Sequence, residues 1–343
     1  MGGFNVAILG ATGMVGQEML RTVKQRGFPV ASLKLLASSR TAGKTVTFEG
    51  ADYPVELATP VAFDGVDIVL SSAGEAVSRE LAPEASRRGA VVVDNTAEFR
   101  MNPDVPLVIP EINAHACRGH HGIIANPNCS TAIVLMALAP LRDLATIRRV
   151  VVATYQSVSG AGKEAVDELE RQTEASLRGE LVPPAAFKKP IAFNVIPAIG
   201  SFREDGYTSE EVKMEFESRK ILELPDLAVS CTCVRVPVRI GHSAAVNVEF
   251  DRPVSPQEVR ERLARSPGVR VVDDPPNHLY PLPIEAAGED DVLVGRIRTD
   301  LSHPNGLNLW VAGDNLLKGA ALNAVQIAER LVKDRLLARS VAS

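Results

Sequence analysis

The sequence predicts an α/β chain whose N-terminal part is a Rossmann-type, doubly wound sheet, followed by a second domain. Three observations carry this. Apolar, strand-like runs alternate with amphipathic helical stretches through the first part of the chain. A glycine-rich turn, Gly10-Ala11-Thr12-Gly13-Met14-Val15-Gly16, joins the first such run to the first helix. The length of 343 residues exceeds what one small core fills, so two domains are the default.

Composition narrows the function. Apolar content of 45% and charged content of 23% fit a globular enzyme. A net charge of −5 offers no general attraction to nucleic acid or to an anionic membrane. No apolar run reaches the ~20 residues of a membrane span. The N-terminus enters a strand directly, without a basic region or cleavage site, so no secretion signal is expected. Four cysteines in such a chain do not make a disulfide framework, and a reducing cytoplasm is the expected compartment.

Phe4–Leu9 reads as a buried strand and 17–26 as a helix, with the glycine turn between them. In that setting backbone amides and a helix N-terminus can hold a pyrophosphate. The second strand, Leu33 to Ala37, ends in Ser38-Ser39-Arg40. An NAD site would place an acidic residue there for the ribose hydroxyl; two hydroxyls and a guanidinium suit the extra phosphate of NADP. Two more strand–helix units follow at 67–72, with a helix after Ala76, and at 90–95. Arg100 lies just past a strand end, where such sheets make ligand contacts, although a solvated loop arginine would look the same. His115, Cys117, His120 and His121 cluster without a second pair at ligand spacing, so no metal is expected.

Asn126-Pro127-Asn128-Cys129-Ser130-Thr131 precedes an apolar run to Leu138. Asn, Ser and Thr are helix-start residues. A cysteine there meets unpaired N–H groups and the positive end of the helix dipole, which favour the nucleophilic thiolate. The strand at 149–155 runs into Gln156-Ser157-Val158-Ser159-Gly160-Ala161-Gly162-Lys163, which lacks the first glycine and the Ser/Thr of a Walker A loop. A charged helix follows at 164–178. Thr208-Ser209-Glu210-Glu211 opens another with a capping signature. On it Glu210, Lys213, Glu217 and Lys220 share a face, which by spacing alone describes a salt-bridged surface helix. The next strand is expected over 229–240; Cys231 and Cys233 on it are read as packing residues. Gly241-His242-Ser243 interrupts it before 244–250. A histidine beside a glycine at a strand break is a candidate acid/base, with a structural role left open. Leu309–Gly313 is the last strand, and Asp314-Asn315 begins a helix to about 338. The chain is expected to cross between domains near 125–130, giving a first domain of 1–128 with a returning 316–343, and a second of 129–315.

At this point the chain resembles the aspartate-semialdehyde dehydrogenase family. The residues that carry the resemblance are the 10–16 turn, Asn126 to Thr131, Tyr155 to Gly162, Glu210-Glu211-Val212-Lys213, Cys233-Val234-Arg235-Val236-Pro237 with His242, and Asp314-Asn315 through Ala321. The family's fold implies an NADP-binding N-terminal domain and an α+β C-terminal domain for catalysis and dimerisation. By position, the resemblance implies that Cys129 forms an acyl thioester, His242 is the acid/base, and Gln156 orients substrate. It implies that Arg235 clamps the substrate α-carboxylate, a bidentate task suited to arginine. Glu210 would face the amino group, and Arg100 and Lys213 the phosphate. Gly10, Thr12, Gly13, Met14, Val15, Ser39, Arg40, Ser159, Gly160 and Asn315 would line NADP. Glu217 and Lys220 repeat the Glu–Lys spacing and compete with Glu210 and Lys213 for their roles. The implied reaction is NADPH-dependent reductive dephosphorylation of L-4-aspartyl phosphate, on the route to lysine, threonine, methionine and isoleucine, by a homodimer. A similar two-domain reductase for N-acetyl-γ-glutamyl phosphate is the nearest rival, but Glu210 favours a free amine. A non-catalytic nucleotide-binding relative would be expected to lack part of the set Cys129, Gln156, Arg235 and His242.

Overall fold

The computed structural model describes residues 3–48 and 50–337. The chain divides into two compact units, Met1–Pro127 with Ala320–Ser343, and Asn128–Gly319. The 338–343 stretch, where the terminal helix was expected to end, lies outside the described residues.

Unit 1 is built on a seven-stranded sheet of order β3-β4-β2-β1-β5-β6-β7. Its strands are β1 (Phe4–Leu9), β2 (Val30–Ala37), β3 (Thr45–Phe48), β4 (Ala51–Leu57), β5 (Ile68–Ser71), β6 (Val91–Asp94) and β7 (Ile123–Ala125). All neighbours pair in parallel except β3 with β4. Both faces are covered, so β1 is apolar from Val6 to Leu9: Val6 and Ile8 enter one core, Ala7 and Leu9 the other. The first core also takes Val325, Ile327 and Ala328 of the C-terminal helix, Leu322–Lys333. Strand order reverses at β1, with β2 on one side and β5 on the other. Open α/β sheets bind ligands at that switch point, and the 10–16 turn emerges there.

Helix α1 (Met14–Gln25) starts earlier than the sequence pattern indicates, because Gly13 is its N-cap and the turn itself becomes helical. Helices α2 (Glu75–Arg87) and α3 (Pro110–Asn113) follow. The β3–β4 hairpin has no counterpart in the sequence reading. Its strands are short, largely exposed at the sheet edge, and include Pro54, which cannot donate to a ladder.

Unit 2 contains a six-stranded sheet of order β11-β12-β13-β10-β8-β9. The strands are β8 (Ile147–Gln156), β9 (Ala228–Arg235), β10 (His242–Phe250), β11 (Val269–Val271), β12 (Val292–Thr299) and β13 (Gly306–Gly313). Helix α4 (Cys129–Leu138) is buried from Ser130 onward and packs on β10, β12 and β13. Helix α5 (Lys163–Leu177) follows β8, and α6 (Ser209–Leu222) lies on β9. The strand expected over 229–240 stops at Arg235. Beyond it Val238 N–H turns back to Val236 C=O at 2.8 Å, around Pro237, which has no N–H to give.

Pairing register assembles the strand ends of unit 2. Gln156 stands opposite Arg235 across β8 and β9, and Tyr155 opposite Ser243 across β8 and β10. His242 stands opposite Gly313. Three strands thus deliver Gln156, Arg235 and His242 to one end of the sheet. No helix among the described residues is long and apolar enough to cross a membrane.

Candidate active site

Cys129 is the first residue of α4 and is half-buried. Its neighbour Asn128 is the N-cap: the side-chain Oδ1 accepts from Ser130 N (3.0 Å) and Thr131 N (3.2 Å). A capping carboxamide satisfies amides that a helix start leaves unpaired. Asn128 is itself held twice from α6. Its Nδ2 donates to Glu210 Oε1 at 2.7 Å, and its backbone N–H donates to Glu217 Oε2 at 2.7 Å.

These contacts separate the two Glu–Lys pairs that spacing leaves equivalent. Glu217 is 1% exposed, and its carboxylate holds the backbone before the cysteine. Glu210 keeps its second oxygen 3.3 Å from Lys213 Nζ, whose side chain is 31% exposed. Lys220 has its pKa lowered by burial, against the opposing pull of Glu217. Gly319 closes in on Cys129: a Cβ there would fall 2.8 Å from Cys129 Cβ. It sits in the π-helical turn Leu317–Ala321, a device frequent at functional sites. Glu217 entered the sequence reading only as a rival to Glu210, and Gly319 carries no motif of its own that would single it out.

Around His242 the geometry is equally specific. Its Nδ1 accepts from the backbone N–H of Ser157 at 3.1 Å and lies 2.9 Å from Ser157 Oγ. The Ser157 carbonyl in turn accepts from Arg235 Nη1 at 2.7 Å. One residue therefore orients both the imidazole and the guanidinium. Arg235 also lies over the Phe187 ring, 5.9 Å from its centroid. Burial lowers the Arg235 pKa, while Cys129 and Glu210 act in the opposite sense. A Cβ on Gly160 would come within 3.1 Å of both Arg235 Nη1 and His242 Nε2. That Nε2 is buried and has no hydrogen-bond partner among the described residues. An unsatisfied buried donor or acceptor costs ~1–3 kcal/mol and calls for a reason; the space left by Gly160 supplies one. Gln156 is buried with its Nε2 3.3 Å from Thr154 Oγ1. Ser159 and Asn315 are buried beside Ser157: Asn315 Oδ1 accepts from Gly241 N at 2.9 Å and from Ser157 Oγ at 3.0 Å.

Unit 1 holds most of the residues expected along NADP, while Ser159, Gly160 and Asn315 of that set belong to unit 2. Gly10 has φ of 86°, and a Cβ there would strike Ser72 C=O at 2.7 Å; one on Gly16 would fall 2.3 Å from Gly10 C=O. Both glycines are needed for packing. At Gly13 the nearest atom would be 3.4 Å away, so that residue leaves an open face over the α1 N-terminus. Thr12 is exposed, with Oγ1 3.2 Å from Thr41 Oγ1, and Met14 and Val15 are partly so. Ser39 and Arg40 are exposed just past the end of β2. A cleft of about 390 Å³ beyond β5 and β6 is lined by Ser72, Gly74, Glu75, Asn95, Thr96 and Ala97, which the sequence reading did not select. An open glycine at a helix N-terminus and a cationic, hydroxyl-rich loop after β2 fit a dinucleotide carrying a 2′-phosphate.

Arg100 is buried rather than solvated, and its Nε and Nη2 donate to Asn126 C=O and Asn95 C=O, each at 2.9 Å. His120 Nε2 lies 3.0 Å from Leu336 C=O, and its Nδ1 accepts from Gly122 N. Cys117 is buried, which pushes its thiol pKa up to about 11. Cys231 and Cys233 are buried with their sulfurs 3.6 Å apart. No group of three metal-type ligands occurs among the described residues.

A family profile described as semialdehyde dehydrogenase, NAD binding domain, matches residues 5–120, and one described as semialdehyde dehydrogenase, dimerisation domain, matches 138–318. The Bacillus subtilis aspartate-semialdehyde dehydrogenase is 52% identical over 339 residues, covering 96% of this chain and 98% of that protein. The chain belongs to the aspartate-semialdehyde dehydrogenase family. The crystal structure of the Vibrio cholerae aspartate semialdehyde dehydrogenase II, described as complexed with ASA, superposes with a TM-score of 0.94 at 47% identity, covering 97% of this chain and 99% of that one. A Candida albicans relative described with NADP superposes with a TM-score of 0.76 at 25% identity, covering 97% and 99%.

Two outcomes follow from this geometry. Glu217→Ala strands the buried Asn128 N–H, so urea denaturation should show a loss of ~1–3 kcal/mol, with kcat falling alongside; Glu217→Gln keeps an acceptor oxygen and should recover most of both. Burial, and then the Arg235 charge, hold His242 well below the ordinary pKa of 6.5. The unfolded chain takes up that proton first, so stability is present above pH 6.5 and declines as the pH falls below it. Thermal melts across this range should show a shallower decline for His242→Gln than for the native chain; identical slopes would show that His242 contributes nothing.

Proposed function

We propose that the chain catalyses the reductive dephosphorylation of L-4-aspartyl phosphate, giving L-aspartate 4-semialdehyde, NADP and inorganic phosphate. The observation that carries this reading is the buried, unpartnered His242 Nε2 facing the space at Gly160, with Arg235 alongside. Such an array suits a small, charged substrate with a reactive carbonyl oxygen, and it belongs to a family of such enzymes.

In this reading unit 1 binds NADP through the 10–16 turn, Ser39 and Arg40, and unit 2 performs the chemistry. Arg235 pairs with the substrate α-carboxylate and Glu210 with its ammonium, while Gln156 orients the acyl group. Cys129 Sγ, as thiolate at the α4 N-terminus, attacks the acyl-phosphate carbon, and the C–O bond to phosphate breaks. Lys213 and Arg100 are assigned to the departing phosphate. When bound, NADPH supplies the hydride that reduces the resulting thioester. His242 Nε2 serves the oxygen of the tetrahedral adduct as it collapses and returns Sγ as thiolate. Free cysteines at 117, 129, 231 and 233 support a reducing, cytoplasmic setting.

We also assign a homodimer. Helices cover one face of the unit 2 sheet, while on the other Val151, Ala153, Ala245 and Trp310 are partly exposed and Tyr155 is 37% exposed. The Tyr155 and Trp310 rings meet there, 5.1 Å apart and tilted by 44°. A second copy of this chain would bury that face, within the region matched by the dimerisation profile.

Phosphate-dependent oxidation of aspartate semialdehyde with NADP tests the chemistry: Cys129→Ala should lose about four orders of magnitude or more in kcat, and near-native turnover would refute the thioester route. For the assembly, sedimentation should report a dimer for the native chain and a lighter species for Ala153→Glu, whose carboxylate would be buried unpaired; a monomeric native chain would dismiss the assignment.

A further inference from the structure

We infer that His242 is locked as its neutral Nε2–H tautomer by the Ser157 backbone amide, with Asn315 as the positioning residue, so that it acts in the proposed reaction as a hydrogen-bond donor and not as a base.

The chain of constraint starts at a group whose polarity admits no choice. The Gly241 N–H can only donate, and it points at Asn315 at 2.9 Å, so the atom it meets is the carboxamide oxygen. That oxygen also faces Ser157 Oγ at 3.0 Å and Ser159 Oγ at 3.3 Å, while Asn315 Nδ2 donates to Ser159 Oγ at 3.0 Å. An oxygen acceptor there draws the Ser157 hydroxyl proton toward Asn315. The loop 157–159 is fixed further by Val158 N–H to Val238 C=O at 2.8 Å and Ser159 N–H to Arg239 C=O at 3.1 Å. In this frame the Ser157 N–H is aimed at His242 Nδ1 at 3.1 Å. A second backbone donor that cannot turn away makes Nδ1 an acceptor, and a neutral imidazole then carries its proton on Nε2.

That nitrogen is the buried one without a protein partner, next to the space at Gly160 and near Arg235 Nη1. Protonating Nδ1 would set an N–H against the Ser157 N–H and add a second cation beside the buried Arg235. The inference rests on the reaction assigned above, and it specifies one of its steps. When the tetrahedral adduct collapses, the oxyanion electrons re-form the carbonyl, the C–S bond breaks and its electron pair stays on Cys129 Sγ. No proton has to move, so a donor that stabilises the oxygen and keeps its hydrogen suffices. The same ring has no lone pair at Nε2 with which to activate water against the thioester.

Histidine-selective ¹⁵N labelling of the intact chain addresses six imidazoles, and His242→Gln assigns the signal lost. At neutral pH His242 should show a pyridine-type Nδ1 and a pyrrole-type, protonated Nε2. A proton on Nδ1, or on both nitrogens, overturns the inference whether or not the chain turns over aspartate semialdehyde; native turnover tests that reaction separately. Asn315→Ala should admit a measurable population with the proton on Nδ1, and an unchanged spectrum removes Asn315 as the positioning residue. In the activity assay His242→Gln, which retains a neutral N–H donor, should exceed His242→Ala in kcat by roughly tenfold or more. Equal losses in two variants with native-like melts would instead mark His242 as a base.

Discussion

An α-helix that begins at a half-buried cysteine brings into the protein a set of backbone amides with no partners of their own within the helix. In this chain that constraint is met by a single residue. Asn128 caps α4 with its carbonyl oxygen, and gives its own side-chain and backbone N–H groups to two glutamates of α6. The cap amide that would otherwise be stranded is thus anchored to a carboxylate, and the start of α4 is placed relative to α6 and β9. Everything that surrounds Cys129 in unit 2 is referred to that anchor.

The second organising residue is Ser157, used through its backbone. Its N–H faces His242 and its carbonyl faces Arg235, so two side chains from different strands take their bearings from one peptide unit. Strand register brings them near each other, and the Ser157 contacts then set their direction. Much of this precision resides in main-chain geometry, to which the Ser157 hydroxyl adds its contacts with His242 Nδ1 and Asn315 Oδ1.

Much of the first unit is legible in the sequence, because parallel strands buried on both faces are continuous apolar runs. Phe4–Leu9 has the bounds the pattern indicates, and the reversal of strand order explains the glycine turn that follows. Less legible are features decided by tertiary placement. The half-exposed edge strands around Tyr53 lack an apolar rhythm strong enough to stand out. The strand through Arg235 overruns in the sequence because Val236, Val238 and Ile240 continue its alternation, and only the turn at Pro237 ends it. Helical spacing treats Glu210 and Glu217 alike; what distinguishes them is which atom of Asn128 each one meets. The strand break at Gly241 is visible in the sequence, whereas the partners of His242 Nδ1 appear only when loops 157–159 and 241 are placed together.

Gly319 has a bearing on chemical intervention. Because it presents only hydrogen where a side chain would stand 2.8 Å from Cys129 Cβ, the π-turn forms a wall on one flank of the cysteine. An electrophile aimed at this sulfur would therefore find no room on the Gly319 side.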